Sequence, residues 1–383
     1  MKIAYVHTGQ WPSNSPSTTF ATYNAVGLAN VFRECHLFIK KNFNSTIEEV
    51  LTDYFGVKKS SNLFIYPYEN HFHINSNRIY YRYVYKTLRK LIVERTIDAV
   101  ISRNVSFLPY LAELKKNYNI PALFESHDYF ADLSSRDDIN ISKKMRYHNY
   151  ERKYIPRISG VICLQQIQRE QYLKEFPKQN IFVCRTGIHR INTDAKSEFN
   201  NRKYVGYIGS LEKHKGVEDI IKAASISDSK PDILLIGGKN SSEIKKYYRI
   251  AENLYNRKKI TITGWVNKVE MREYIDRIRI GVVPLMDTYF NRYLTSPLKL
   301  FDFYSYGIPV ISSDLPTMRE LIDGEETGFF YKSGDIKKLS EKIDLLFENK
   351  EVYAEMRLSV LKKAEQYLWV KRADKIKKIL KDL

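Results

Sequence analysis

Short apolar or β-branched runs alternate with stretches of helical periodicity along the whole chain, and this alternation restricts the fold more than any other feature. The first half offers strand candidates at Ile3–Val6, His36–Ile39, Leu63–Tyr66, Ala99–Ser102, Ala122–Glu125, Gly160–Leu164 and Ile181–Cys184. The second half continues with Tyr204–Ile208, Ile233–Gly237, Ile260–Thr263, Ile280–Pro284, Val310–Ser312 and Gly328–Tyr331. Strands separated by helices pair in parallel, because each return needs a crossover, and the helices then cover both faces of the sheet. Two such sets predict an α/β chain with two doubly wound, Rossmann-like domains. After Arg185-Thr186-Gly187-Ile188 comes a polar stretch, Asn192 to Lys203, which reads as the linker. The expected division is 1–188, 189–360 and a C-terminal helix, 361–383, packing back on the first domain. Parallel sheets place ligands outside the carboxyl ends of their strands. With two such domains, the expected site is a cleft with the two sheets facing across it.

A length of 383 residues suits two domains of ordinary size, and 43% hydrophobic residues suffice for two cores. No apolar run reaches membrane-spanning length. Met1 to Val6 reads straight into a strand, with no charged n-region and apolar h-region, so no signal peptide is expected. Cys35, Cys163 and Cys184 lie far apart with no zinc spacing, which fits a reduced, cytoplasmic protein. The 62 Lys and Arg outnumber the 44 Asp and Glu, for a net charge of +18. That balance favours anionic partners or serves only solubility; charge alone names neither.

Two segments of the second half carry chemistry. Tyr207-Ile208-Gly209-Ser210-Leu211-Glu212-Lys213-His214-Lys215-Gly216 runs from a strand through a polar loop to a helix starting near Val217. Gly209 lets backbone approach a ligand, helix-start N–H groups attract phosphate, and Lys215 adds a positive charge. Read locally, an ordinary βα turn with solvated lysines fits equally well. The second segment is Ser296-Pro297-Leu298-Lys299-Leu300-Phe301-Asp302, continuing to Gly307-Ile308-Pro309-Val310. Pro297 suits a first helical turn, and Lys299 and Asp302 share a helix face. A carboxylate there can accept bonds from ribose hydroxyls while the helix start faces diphosphate. A surface ion pair on a capped helix is the ordinary alternative.

Together the segments resemble the retaining GT-B glycosyltransferases, in particular the large family often called family four (glycosyl transferases group 1). That family's phosphate loop reads Gly-Arg-Leu-x-x-x-Lys-Gly; Gly209, Leu211, Lys215 and Gly216 match it, with Ser210 in place of the Arg. Its later motif reads Pro-x-Lys-x-x-Glu, then Gly-x-Pro-Val; Pro297, Lys299, Gly307, Pro309 and Val310 match, with Asp302 for the Glu. The resemblance implies that Lys215 grips the donor diphosphate and that Asp302 binds the ribose. It implies that Gly264-Trp265-Val266 holds the base, and that Gly209, Ser210 and the Ser296–Lys299 turn complete the donor site. The family's first Glu is absent, its position being Leu294. In Phe124-Glu125-Ser126-His127-Asp128, the resemblance makes His127 a contact to the sugar near the reaction centre; a lone His at a strand end is otherwise structural. Thr8-Gly9-Gln10 resembles the family's first loop, which makes Gly9 a donor-side residue, and Ser17-Thr18-Thr19 lie in the acceptor-side region. Arg185 precedes the interdomain crossing, and Tyr367-Leu368-Trp369 resembles the anchor of the family's last helix.

The resemblance implies transfer of a sugar from a nucleotide-sugar, UDP-linked or GDP-linked, to a hydroxyl on a glycan or lipid-linked acceptor, with retention. No Gly-x-Gly-x-x-Gly follows the first strand and no Walker loop occurs, against a dinucleotide oxidoreductase or P-loop kinase. No Asp-x-Asp occurs, so no metal and no other cofactor is expected. Three alternatives stay open: a sugar-nucleotide epimerase on the same scaffold, a non-catalytic partner, and a basic nucleic-acid-binding protein. The last lacks any RRM, zinc or helix-turn-helix pattern, so no nucleic acid is expected. Arg78 to Arg95 interleaves Tyr80, Tyr81, Tyr83 and Tyr85 with Arg82, Lys86, Arg89 and Lys90. Such a helix suits an anionic membrane surface, tyrosines at the headgroups, which would make the protein peripheral on the inner face. A domain helix with Val84, Leu88, Leu91 and Ile92 toward the core is the alternative.

Overall fold

The structure is a computed structural model, and it describes residues 1–69, 77–136, 138–192 and 199–383. Half of the expected linker, residues 193–198, lies outside the described residues. The chain forms two compact units. The first comprises Met1–Gly187, Tyr293–Ser296 and Trp369–Leu383; the second comprises Ile188–Arg292 and Pro297–Leu368.

The first unit holds a seven-stranded sheet in the order β3-β2-β1-β4-β5-β6-β7. Its strands are β1 (Lys2–Trp11), β2 (Glu34–Lys41), β3 (Leu63–Tyr68), β4 (Ala99–Ser102), β5 (Ala122–Glu125), β6 (Gly160–Cys163) and β7 (Ile181–Val183). The second unit holds six strands in the order β10-β9-β8-β11-β12-β13. These are β8 (Tyr204–Ile208), β9 (Asp232–Ile236), β10 (Ile260–Ile262), β11 (Ile278–Val283), β12 (Val310–Ser313) and β13 (Gly328–Tyr331). Every strand pairing is parallel. All thirteen expected strands are present, and β1 runs five residues past its expected end at Val6.

The pleat explains how one strand serves two cores. In β8, Val205 and Tyr207 pack into one apolar cluster while Tyr204 and Ile208 pack into another. Successive side chains point to opposite faces, so a strand buried on both faces must be apolar throughout. Strand order reverses where β1 meets β4 and where β8 meets β11. At such switch points the crossovers diverge to opposite sides and leave a crevice beyond the strand ends.

The helix Trp369–Lys381 packs in the first unit against the helix Pro16–Ala29, where Trp369 sits edge-on to Phe20 at 4.9 Å. Arg372 of this helix reaches the buried strand-end carboxylate Glu125 at 2.6 Å and the Asn24 side chain at 2.7 Å. The preceding helix, Lys350–Gln366, lies in the second unit and runs through position 361.

The helix Asn77–Val93 buries one face in its domain, as the domain-helix alternative has it, and leaves its basic face exposed. Tyr80 and Tyr81 are buried with Val84, Leu88 and Ile92, and the Tyr80 hydroxyl donates to the His7 carbonyl at 2.7 Å. Those two tyrosines cannot stand at lipid headgroups, because a 3.6-residue turn sends positions 80, 81, 84, 88 and 92 to one face. Arg82, Tyr83, Lys86, Arg89 and Lys90 remain exposed. Among the described residues no helix is long and apolar enough to cross a membrane.

Candidate functional site

In the second unit three glycines follow three adjacent strands. The Gly209 amide donates to the Ile236 carbonyl at 2.9 Å, and Gly237 bridges Gly264 in an antiparallel pair. A Cβ on Gly237 would stand 2.0 Å from the Gly209 carbonyl oxygen, and Gly237 has φ near 141°, so only glycine fits. The result is a shelf of bare backbone along the carboxyl edge of β8, β9 and β10. Thr263 locks it, its Oγ1 accepting from the Gly237 amide at 3.2 Å and donating to the Gly264 carbonyl at 2.6 Å.

Of the expected cations, Lys299 lies against this shelf, and Lys215 is near enough for its charge to act on Lys299. Lys299 Nζ lies 3.7 Å from the Tyr207 ring centroid, and a Cβ on Gly209 would stand 3.3 Å from it. The Tyr207 hydroxyl in turn donates to the Ser210 carbonyl at 2.7 Å. Burial, reinforced by the Lys215 charge, pushes the Lys299 ammonium well below its ordinary value, with Asp302 opposing. Lys215 is lowered as well, by burial first, with Glu212 opposing and Lys239 adding. Gly216, at φ near 69°, follows Lys215 and opens the helix Val217–Ile226; a Cβ there would meet the Pro284 carbonyl at 1.9 Å. The loop is thereby pinned to the end of β11, at the switch point of the second sheet.

Asp302 does not pair with Lys299. Its carboxylate takes both bonds from Lys268 Nζ, at 2.7 and 2.8 Å. Pro297 occupies the cap position and Leu298 the first turn of the helix Leu298–Ser305, whose start carries no side-chain cap. Its leading N–H groups are of the kind that a helix leaves without an internal partner. Ser210 bonds to Glu212 at 3.2 Å. Trp265 is 42% exposed, and Val266 packs against the second-unit core. Gly9 and Ser296 belong instead to the first unit. Ser296 shares a 2.8 Å hydrogen bond with Thr186, and neighbouring Leu294 is buried.

The first unit has its own cavity, ≈ 320 Å³, at the switch point between β1 and β4. The β1–β4 ladder stops at Val6–Ser102, and the register of β1 against β2 shifts between Val6 and Gln10. His7, Thr8 and Gly9 fall in that irregular stretch and line the cavity. Such an irregularity re-aims side chains that a regular ladder would send to the core. His127 lines the same cavity from the end of β5, and Ser17 from the helix Pro16–Ala29.

His127 is fixed by its neighbour. Its Nε2 lies 2.6 Å from Glu125 Oε1, and a carboxylate only accepts, so Nε2 carries the proton and Nδ1 is the ring's acceptor. Burial, then the Arg103 charge, lower the ring to about 4 against the opposing pull of Glu125, so it is neutral at pH 7. Burial works to raise the Glu125 carboxyl, but Arg372 and the His127 bond outweigh it and hold the group well below its ordinary value. Tyr5 completes the cluster, donating to Glu125 at 2.9 Å. The cavity also contains Arg103, Asn104, Lys143 and Tyr147, which the sequence reading passed over. For Arg103 and Asn104 a signal existed, since they directly follow β4. For Lys143 and for Lys268 no local signal existed.

Among the described residues, no group of three or more His, Cys, Asp or Glu side chains is placed to hold a metal ion. Residues 190–366 match the family model described as Glycosyl transferases group 1. An uncharacterized glycosyltransferase of Haemophilus influenzae is 22% identical over 279 residues, covering 71% of this chain and 72% of the relative. Anabaena HepE in complex with UDP has the same fold, with a TM-score of 0.74 at 14% identity over 100% of both chains. A sucrose-phosphate synthase from Thermosynechococcus elongatus also reaches 0.74 at 14% identity, covering 100% of this chain and 98% of that one. The architecture is that of the GT-B fold, two Rossmann-like units with parallel sheets.

Proposed function

We propose that this chain, a glycosyltransferase whose residues 190–366 belong to the glycosyl transferases group 1 family, moves a sugar from a UDP-sugar to a hydroxyl acceptor with retention of configuration. One observation carries the donor assignment: Lys215 and Lys299 meet at a glycine shelf, each with its ammonium disfavoured by burial. Two buried cations side by side repel, and a diphosphate relieves both at once. Backbone shelves without Cβ atoms admit phosphate closely, and helix-start N–H groups add to the attraction. Asp302 can accept from ribose hydroxyls while keeping Lys268, since a carboxylate offers about four lone-pair sites. The exposed Trp265 face suits a base. Structural neighbours solved with UDP and with UDP-glucose support the choice of uridine.

In the transfer, the acceptor oxygen bonds to the anomeric carbon as the bond from that carbon to the diphosphate oxygen breaks. The acceptor proton passes to the departing diphosphate. Lys215 and Lys299 stabilise the charge that grows on that diphosphate, where fixed electrostatic groups contribute most. Neutral His127 serves as a positioning group for the sugar. The lysines meet the charge that a metal meets elsewhere, so the reading assigns no metal; undiminished turnover in EDTA is the matching outcome. The acceptor is read as a glycan or lipid-linked hydroxyl, in cell-envelope polysaccharide or glycolipid synthesis. The net charge of +18 and the exposed Arg82, Lys86, Arg89 and Lys90 support a location at the cytoplasmic face of an anionic membrane.

The test is donor turnover across a panel of UDP-, GDP- and ADP-sugars, scored for transfer and slow hydrolysis. Lys215→Ala should lose 10²-fold or more of that turnover, on the order of one electrostatic donor's contribution, with the melting curve retained. Full activity in a folded Lys215→Ala protein would remove the diphosphate role.

A further inference from the structure

We infer that the first-unit cavity takes an acceptor bearing an oxyanion, a phosphate or a sugar-acid carboxylate, held by Arg103 and Lys143. The word acceptor rests on the transfer reaction proposed above; the anion site rests on the cavity itself.

Charge is unbalanced around the cavity of ≈ 320 Å³. The acids at its wall are already engaged. Asp128 is bound to Arg136, and Glu125, beneath His127, is bound to Arg372. The cations are not. Arg103 is half-buried, with one N–H donating to the Ser17 carbonyl at 3.2 Å and its guanidinium 5.2 Å from the Phe20 ring centroid. Lys143 lies at the mouth, 5.7 Å from the Tyr147 ring centroid. Among the described residues, neither has a carboxylate partner within salt-bridge distance. The two imidazoles add no charge of their own, since His7 and His127 are both held neutral, with burial as the first cause and Arg103 as the second.

The Arg103 charge is felt at Glu125, but that carboxylate is bonded to Arg372, and a half-buried guanidinium without a direct ion partner is costly because its hydration is curtailed. A neutral sugar would leave that cost in place. An oxyanion removes it, and the flat guanidinium fork matches two oxygens of a phosphate or carboxylate. The volume suits a monosaccharide carrying one such group. His7 adds polar capacity on the same wall: both ring nitrogens are buried and without a hydrogen-bond partner among the described residues.

The test is calorimetric titration of the full chain with inorganic phosphate, glucuronate and glucose at low salt, with UDP saturating so that Lys215 and Lys299 do not report. Phosphate or glucuronate should bind at least ten-fold more tightly than glucose, and whichever is tighter identifies the source of the anion. Arg103→Gln and Lys143→Gln should each weaken that binding on the order of ten-fold, as loss of one charged hydrogen bond does. Arg103→Lys should restore part of it. UDP affinity should stay unchanged in all three variants. Lys143 is exposed, so its variant keeps the test valid even if Arg103→Gln folds poorly. Equal binding of glucose and the anions, or wild-type anion affinity in both Gln variants, overturns the inference. If UDP itself fails to bind, the donor reading falls, and the same titration repeated on Lys215→Ala still decides the anion site.

Discussion

His7 shows what a single side chain gives up for a site. It is 2% exposed, both ring nitrogens lack a partner among the described residues, and burial followed by the Arg103 charge lowers it to about 3. The unfolded chain returns the ring to an ordinary value near 6.5. Between about pH 3 and 6.5, then, the unfolded state binds a proton that the folded state refuses. Stability is fully present above that window and falls as pH drops through it. Wild-type protein should lose about 2 kcal/mol from this one group between pH 7.5 and 5. In His7→Leu that part of the loss should vanish, as read by urea denaturation at the two pH values; an unchanged pH slope would mean that the ring is charged or solvated. His127 behaves in the same sense down to about 4. Only the family resemblance singled out His127, since a lone His at a strand end is otherwise structural. It could not weigh Arg103, whose meaning lies in the absence of a carboxylate within salt-bridge distance among the described residues.

At the scale of elements, the helix Trp369–Lys381 is the informative one. Aromatic packing of Trp369 on Phe20 seats it, and Gly187 admits the Trp369 ring, since a Cβ there would meet it at 2.5 Å. Seated, it brings Arg372 to Glu125, a bond between residues 247 apart in sequence. Both side chains are almost wholly buried, at 3% and 0% exposure. Removing one partner of such a pair leaves a bare buried charge, which costs about 3–5 kcal/mol, whereas replacing both is far milder. Arg372→Leu should therefore lower the unfolding free energy by about that much, and the double variant Arg372→Leu/Glu125→Gln should recover most of it in denaturant titrations. Additive losses would show that the pair does not act as a unit. The sequence announced this helix as an anchor, but nothing in its periodicity pointed to a charge reaching Glu125. The helix Asn77–Val93 gives the opposite lesson: its tyrosines read as surface groups, and two of them are core, because aromatic residues fit either setting.

At the scale of the molecule, two sheets of similar build carry different chemistry at their carboxyl edges: a glycine shelf with lysines in the second unit, and a cavity with Arg103 and two neutral imidazoles in the first. The assignment predicts where a nucleotide acts. Saturating UDP should slow amide exchange most in residues 209–216, 264–266 and 298–302. At a hundred times its dissociation constant it should add about 2.7 kcal/mol to stability. Strongest protection within residues 1–187 would place the donor in the other unit.

The sequence by itself determined the alternation of strand and helix, the number of strands in each sheet, and the glycines and lysines of the loop that follows β8. These are local matters. Apolar periodicity, a positive φ and the offset between two motifs need no distant partner to be read. Only the tertiary structure decided which charges are neutralised. It engages Asp302 with Lys268, Glu125 with Arg372 and Asp128 with Arg136, and gives Arg103 no carboxylate within salt-bridge distance among the described residues. Electrostatic interaction depends on separation in space and on burial, and residues far apart along a chain acquire both only when the fold closes.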